Sequence, residues 1–190
     1  MLKLQEIKRT DERLLADMKV HYSAPRGFVG RNRCYAVMWD GDYFGGIVGG
    51  SATRFLPGRS DYLRENCIPE SLNNIVNNIF FHVERRKGAY PCRNFTQKVL
   101  ARFRQQITRR WYEKYGDPVH AFETLVELPR KGDCYLRDGW TELGTTKGFT
   151  CKRVAGVGTD SWTGKRVWDT ENLRPKKVFA RLAQPLALLD

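Results

Sequence analysis

Acidic residues are the scarce component of this chain: 21 Asp and Glu stand against 33 Lys and Arg, leaving a formal net charge of +12. That surplus suits a polyanionic partner, nucleic acid first among them. Long apolar runs are missing as well. None approaches the roughly 20 residues that span a bilayer, and the opening stretch MLKLQEIKRTDER has no apolar signal core. An intracellular protein with no membrane partner is the expectation. The five cysteines (Cys34, Cys67, Cys92, Cys134 and Cys151) are odd in number, scattered, and form no CxxC pair. This spacing argues against both a disulfide framework and a zinc site. There is no internal repeat and no low-complexity tract.

What is present is a chain of 190 residues, 41% hydrophobic and 12% aromatic, enough for one domain with a real core. The expected organisation is a single domain over 1–190, with 147–175 a basic insertion or hairpin within it. The charge is unevenly spread. Residues 84–114 carry ten Lys/Arg against two acids, and residues 147–181 carry nine against three. Between them, residues 115–146 are acidic on balance. Two basic zones flanking an acidic centre suggest a polyanion gripped around a chemical site.

The central stretch is Asn77 to Trp140. Val76 to Val83 is apolar and aromatic and reads as a buried strand. A cationic loop follows, Glu84 to Arg93, and then Phe95, Val99, Phe103, Ile107 and Trp111 recur at steps of four, one face of a helix. Asn94 or Thr96 is placed to cap that helix, and Tyr115-Gly116-Asp117-Pro118 stops it. His120 to Leu128 returns as a second strand. A helix whose amino end faces a cationic loop is a ready anion site.

Upstream, Thr10 to Arg13 opens a helix that ends near His21. Arg33 to Asp40 and Tyr43 to Ala52 form a hairpin about Asp40-Gly41-Asp42. The four glycines of the return strand imply bulges or a close backbone approach. Thr53 to Ser71 reads as irregular. Downstream come a short helix, a strand from Trp140 to Thr146, a Gly/Thr/Asp-rich segment, and Lys176 to Leu182, expected to close the sheet. The order is that of a mixed α/β (α+β) sheet with antiparallel hairpins at both ends and one crossover helix.

This order resembles the GNAT acyltransferase fold. The strand-loop-helix at Val76 to Ile107 corresponds to the place where that family binds acetyl-CoA pyrophosphate. The segment from Cys134 through Tyr135 to Gly144 resembles its late segment, whose tyrosine commonly protonates the leaving thiolate. The usual Q/R-x-x-G-x-G/A loop is absent, and ERRKGAYPCRN has one glycine and a proline. A narrower resemblance is to the Mom family of phage DNA-modification proteins. It is carried by His21-Tyr22-Ser23, Val76-Asn77-Asn78 and Phe122 to Glu127, together with Pro129, Gly132, Cys134, Tyr135 and Trp140. It covers residues 20–145. Glu127 stands where that family usually has Asp, and Ile79 or Phe80 where an arginine is usual. The resemblance implies a splayed strand pair forming the cleft and a transferase that converts adenine N6 in double-stranded DNA to a carbamoylmethyl-type adduct. It also implies restriction evasion by a bacteriophage, acting in the host cell cytoplasm on a flipped adenine. The donor would be acetyl-CoA or another activated acyl donor, such as a charged tRNA.

Under that reading Glu127 positions or deprotonates N6, and Tyr135 is the general acid. His21 contacts substrate, acts as base, or joins a metal site with Tyr135 or Glu127. Arg85, Arg86, Lys87, Arg93, Asn94 and Thr96 would hold the donor phosphates or the DNA backbone. Tyr22, Ser23 and Asn78 would meet the acceptor, with Tyr22, Phe28, Trp39, Tyr43 and Trp140 as candidate stackers. Arg26, Arg31, Arg33, Lys152, Arg153, Lys165 and Arg166 would grip flanking phosphates. Each has a plainer reading: Glu127 as a strand-end acid, Tyr135 as a core tyrosine, His21 as a helix cap, the stackers as core, His82 and His120 as structural. Two other functions fit the same residues: a GNAT-like acyl- or aminoacyltransferase on RNA or protein, and a nucleic-acid-binding module with a retired catalytic site.

Overall fold

A computed structural model describes residues 1–22, 27–28, 30–154, 165–169 and 173–184, with the backbone alone for 150–154 and 165–169. Seven strands form one mixed sheet: β1 (Leu2–Ile7), β2 (Asn32–Trp39), β3 (Asp42–Ser51), β4 (Ile75–Val83), β5 (Ala121–Glu127), β6 (Thr141–Thr145) and β9 (Lys176–Leu182), in the order β1-β2-β3-β4-β5-β9-β6. A separate antiparallel ribbon, β7 (Thr150–Val154) with β8 (Lys165–Asp169), lies within 147–175. The helices are α1 (Glu12–Val20), α2 (Arg59–Glu65), α3 (Phe95–Tyr115) and α4 (Asp133–Arg137).

The β2–β3 hairpin turns on Asp40 (φ 48°) and Gly41 (φ 91°), the double positive φ of a tight two-residue turn. In α3 the step-of-four residues Phe95, Val99, Phe103, Ile107 and Trp111 are all buried against the sheet. The helix stops at Gly116, whose left-handed φ of 73° lets its N–H return to Tyr112 O. Leu14 and Met18 of α1 pack with Phe28, Val48 and Phe80 in a second cluster, and Leu63 of α2 packs with Ile75 and Ala121 in a third. Helices thus cover both faces of the sheet.

The structure departs from the sequence reading in four places. Leu2–Ile7 is an edge strand paired with β2, where no strand was expected; only Leu4 is buried, too little to show as alternation. Arg59–Glu65 is helical within a segment read as irregular, and its inward residues are one leucine and an arginine. Thr10, which opens the expected α1 and could cap it, does not do so: the cap is Asp11, whose carboxylate accepts from the Arg13 amide. Last, β9 does not close the sheet but sits between β5 and β6. Val178, Phe179 and Ala180 are buried on successive positions, so both faces of β9 are covered, whereas β6 has no buried residue and takes the edge.

Each glycine of β3 meets a close neighbour, Gly45 the His82 backbone, Gly46 Leu14 of α1, Gly50 Ile79 and Gly49 the side chains of α3. A Cβ at Gly49 would overlap Ile107 Cδ1 and stand 2.9 Å from Val76 Cγ1 and 3.1 Å from Phe103 Cζ. Gly49→Ala is therefore expected to lower stability by about 1–3 kcal/mol through overpacking. Urea denaturation checks this, and an unchanged midpoint would mean that α3 does not lie that close to β3.

Candidate functional site

Parallel pairing between β4 and β5 runs for three residues only, Ile75 with Ala121, Val76 with Phe122 and Asn77 with Glu123. Beyond Asn77 the strands part, while β4 continues to Val83 and β5 to Glu127. The opening is a cavity of about 280 Å³ walled by Asn77 to Phe81 of β4, Thr124, Leu125 and Glu127 of β5, and His21, Tyr22, Thr53, Tyr135 and Lys176. A second cavity of about 430 Å³ shares His21, Tyr22 and Phe81 with the first and runs toward α3, reaching Arg85, Tyr90, Thr96, Gln97, Cys134 and Arg137. The two adjoin along these shared residues and are called the cleft below.

Tyr135 stands at the divergence. Its O–H donates to Asn78 Oδ1 at 2.7 Å, and its ring is packed by Trp140 (5.1 Å), Phe179 (5.9 Å) and Phe81 (6.3 Å). Burial pushes the phenol well above its ordinary range, so it keeps its proton at neutral pH. Asn78 is fixed in turn. Its Nδ2 donates to Val48 O and Phe80 O, and its own carbonyl accepts from Thr124 Oγ1 at 2.9 Å. Glu127 lines the same cavity, with Lys176 Nζ at 3.8 Å and Arg174 at 3.9 Å. The β5–β9 register sets Lys176 directly opposite Glu127.

His21 follows α1 and forms a wall common to both cavities. Its ring lies 4.2 Å from Tyr22 and 4.7 Å from Phe80. Burial first, and the nearby His82 second, push the imidazole down to about 4, although a hydrogen bond with the Phe81 backbone opposes this. Tyr22 carries Arg130 over its ring, guanidinium to ring centre 3.6 Å.

The cleft therefore brings together Glu127, Tyr135, His21, Tyr22, Asn78, Arg85 and Thr96. It leaves out others. Arg86 pairs with Asp42 at 3.0 Å, donates to Tyr43 O and stacks on Phe44, so it belongs to the β2–β3 hairpin. Lys87 and Arg93 do not line the cleft. Asn94 is the cap position of α3 but is left-handed (φ 58°) and makes no side-chain cap bond, and Thr96 Oγ1 bonds to Gln97 instead of capping. Arg31 pairs with Asp117 and Arg33 with Glu6, both against the far end of α3. Of the candidate stackers only Tyr22 lines the cleft: Phe28 and Trp140 are core, Trp39 packs on Phe95, and Tyr43 bonds Asp17. Ser23 and Arg26 lie outside the described residues, as do the side chains of Lys152, Arg153, Lys165 and Arg166.

Sequence reasoning missed the brace beneath the cleft. Arg59 and Glu123 are both buried, with Arg59 Nη1 3.1 Å from Glu123 Oε2, and Arg59 Nε donates to Glu70 at 2.9 Å. Glu123 Oε1 accepts from the Thr53 amide at 2.6 Å, and Thr53 Oγ1 accepts from Asn77 Nδ2 at 2.8 Å. Burial pushes the Glu123 carboxyl up, and the Thr53 amide and Arg59 oppose it. The brace thus locks Asn77, the last paired residue before the strands part.

The cleft thus has a phenol and a carboxylate along one stretch of its wall and the start of α3 along another. No protein-family model matches the sequence, and no curated protein is significantly similar to it. Solved structures do match in fold. The chain covers 97% of itself and 100% of a Bacillus subtilis acetyltransferase in complex with CoA, at 11% identity and TM-score 0.56. It matches a GNAT family acetyltransferase from Elizabethkingia anophelis with acetyl-CoA bound over 95% of itself and 97% of that chain, at 8% identity and TM-score 0.54. For the aminoglycoside acetyltransferase AAC(6')-Ib in complex with coenzyme A and kanamycin, the figures are 96%, 95%, 10% and 0.54. The chain has a GNAT-type fold, a mixed α/β sheet opened between its parallel strands.

Two expectations follow from the site. Arg59→Met would leave Glu123 buried without its partner, at a cost of about 3–5 kcal/mol, read as a drop in unfolding midpoint. A midpoint at the wild-type value would place Glu123 in contact with water. Burial pushes the Cys134 thiol up to about 11, whereas Cys67 is exposed. Iodoacetamide at mildly alkaline pH should therefore alkylate Cys67 well before Cys134, as peptide mass spectrometry would show.

Proposed function

We propose that this protein is an acyltransferase that moves an acyl group from an activated thioester donor onto an amine. The observation that carries the reading is the protonated phenol of Tyr135, set in the same cavity as the Glu127 carboxylate where β4 and β5 part. Residues for an acyl-CoA-type donor are present. Its anionic end suits the amino terminus of α3, where Asn94 leaves the first-turn amides without a side-chain cap, together with Arg85 and Arg137. The loop before α3 contributes less, since Arg86 and Ala89 spend their amides on each other. When bound, such a donor supplies a carbonyl activated by a good leaving group. The chain's own residues do the rest. Glu127 accepts the proton the attacking amine must lose, and Tyr135 delivers its O–H proton to the departing sulfur, giving up the bond to Asn78 Oδ1 that orients the phenol at rest. His21 and Tyr22 wall the passage and keep water out.

The finer reading places the acceptor in double-stranded DNA, as the exocyclic N6 of a flipped adenine, with restriction evasion as the outcome. It rests on the Mom-like motifs and on the two basic zones within a net charge of +12. Tyr22 would then stack on the everted base, and Arg130 would leave the ring face it now covers.

With acetyl-CoA as donor and duplex DNA as acceptor, thiol release is expected to fall by about a hundredfold or more in Tyr135→Phe and in Glu127→Gln. Either variant at the wild-type rate would remove that residue from the mechanism. Nucleoside mass spectrometry of DNA from expressing cells should reveal a new adenosine derivative. Donor turnover with amine acceptors but unmodified DNA would leave the transferase and discard the DNA acceptor.

A further inference from the structure

Away from the wall formed by Tyr135 and Glu127, α1 and the end of β4 bring together three metal-ligating side chains that the proposed chemistry does not use. Asp17 of α1, His82 of β4 and Glu84 just beyond it present ligand atoms that all lie within 4.8 Å of one another. Asp17 is buried and oriented: Tyr43 O–H donates to its Oδ2 at 2.6 Å, leaving Oδ1 facing His82 Nε2 at 4.0 Å. This nitrogen is shielded from solvent and has no hydrogen-bond partner among the described residues. A buried ring nitrogen and a buried carboxylate oxygen at that distance are too far apart for a direct hydrogen bond. They are well placed around a third atom, because ligands bonded at about 2.1 Å to one ion stand no more than about 4.2 Å apart. Glu84 is exposed, so its flexible side chain can close the remaining gap.

We propose that Asp17, His82 and Glu84 form a binding site for one divalent first-row transition cation. A nitrogen ligand with two carboxylate oxygens favours Mn²⁺, Fe²⁺, Co²⁺ or Zn²⁺ over Mg²⁺ and Ca²⁺, which prefer oxygen alone. The Tyr43 hydroxyl is the outer partner that orients the Asp17 carboxylate, as such partners do around metal ligands. The cation neutralises a buried carboxylate and ties α1 to the part of β4 that has lost its neighbour β5. His82 also lines the donor end of the cleft, so the ion would stiffen that wall.

The test uses the full chain stripped with a chelator, then titrated with Mn²⁺ followed by electron paramagnetic resonance and with Co²⁺ followed by visible absorption. One bound equivalent and a rise in unfolding temperature are expected. His82→Gln and Glu84→Gln should each abolish the site, and Tyr43→Phe should weaken it about 10–100-fold. Glu84 is on the surface, so its variant separates loss of a ligand from loss of the fold. No binding by the wild-type chain, or binding undiminished in both ligand variants, would overturn the assignment.

Discussion

Everything in this molecule turns on a parallel ladder that stops early. A buried parallel pair normally continues along its length, because each unpaired amide or carbonyl in the interior costs free energy. Here β4 and β5 separate after Asn77 and Glu123, and side chains take up backbone groups on both sides of β4, one across the gap to β5 and two at the register shift between β3 and β4. Thr124 donates to the Asn78 carbonyl, and Asn78 donates to Val48 and Phe80. The gap opened by this separation is the cleft. The residues that repair the ladder also orient Tyr135, through the bond it donates to Asn78 Oδ1. Holding the fold open and holding the phenol in place are one network.

That network rests on charge placed where charge is expensive. The Arg59–Glu123 pair lies beneath the divergence and reaches it through Thr53 and Asn77. A buried ion pair adds little net stability but makes alternative arrangements costly, since either ion alone would be stranded. It fixes where the strands part more than how tightly the chain folds. At the other end of the cleft the chemistry is looser. The first turn of α3 has no side-chain cap, Arg85 stacks on Tyr90, and the loop between them closes on itself. A donor's anionic end would meet cations and helix amides there rather than a glycine cradle.

The amphipathic period of α3, the Asp40-Gly41 turn, and the apolar runs of β4 and β5 were legible because each is local and strongly patterned. The glycines of β3 signalled a close approach, and the structure supplies α3 as the neighbour of Gly49, α1 as that of Gly46 and β4 as that of Gly45 and Gly50. Glu127, Tyr135, His21, Tyr22 and Asn78 were singled out through the short motifs of the family resemblance, and all five line one cavity. What stayed hidden is non-local. Lys176 faces Glu127 only because β9 inserts beside β5, and nothing in Lys176 to Leu182 announces its neighbour. Arg59 and Glu123 are 64 positions apart, and an arginine in a Gly/Pro-flanked stretch reads as solvated surface until it is seen buried. Arg31, Arg33 and Arg86 illustrate the converse, since cations counted as a free grip are held by Asp117, Glu6 and Asp42.

The central claim is that the gap between β4 and β5 receives the donor. Hydrogen–deuterium exchange on the full chain, with and without saturating CoA, measures this directly. The account predicts slowed exchange in peptides spanning Asn78–Val83 and the first turn of α3, with β1 and β2 unchanged. Protection confined to β1 and β2, or none anywhere at saturation, would contradict it.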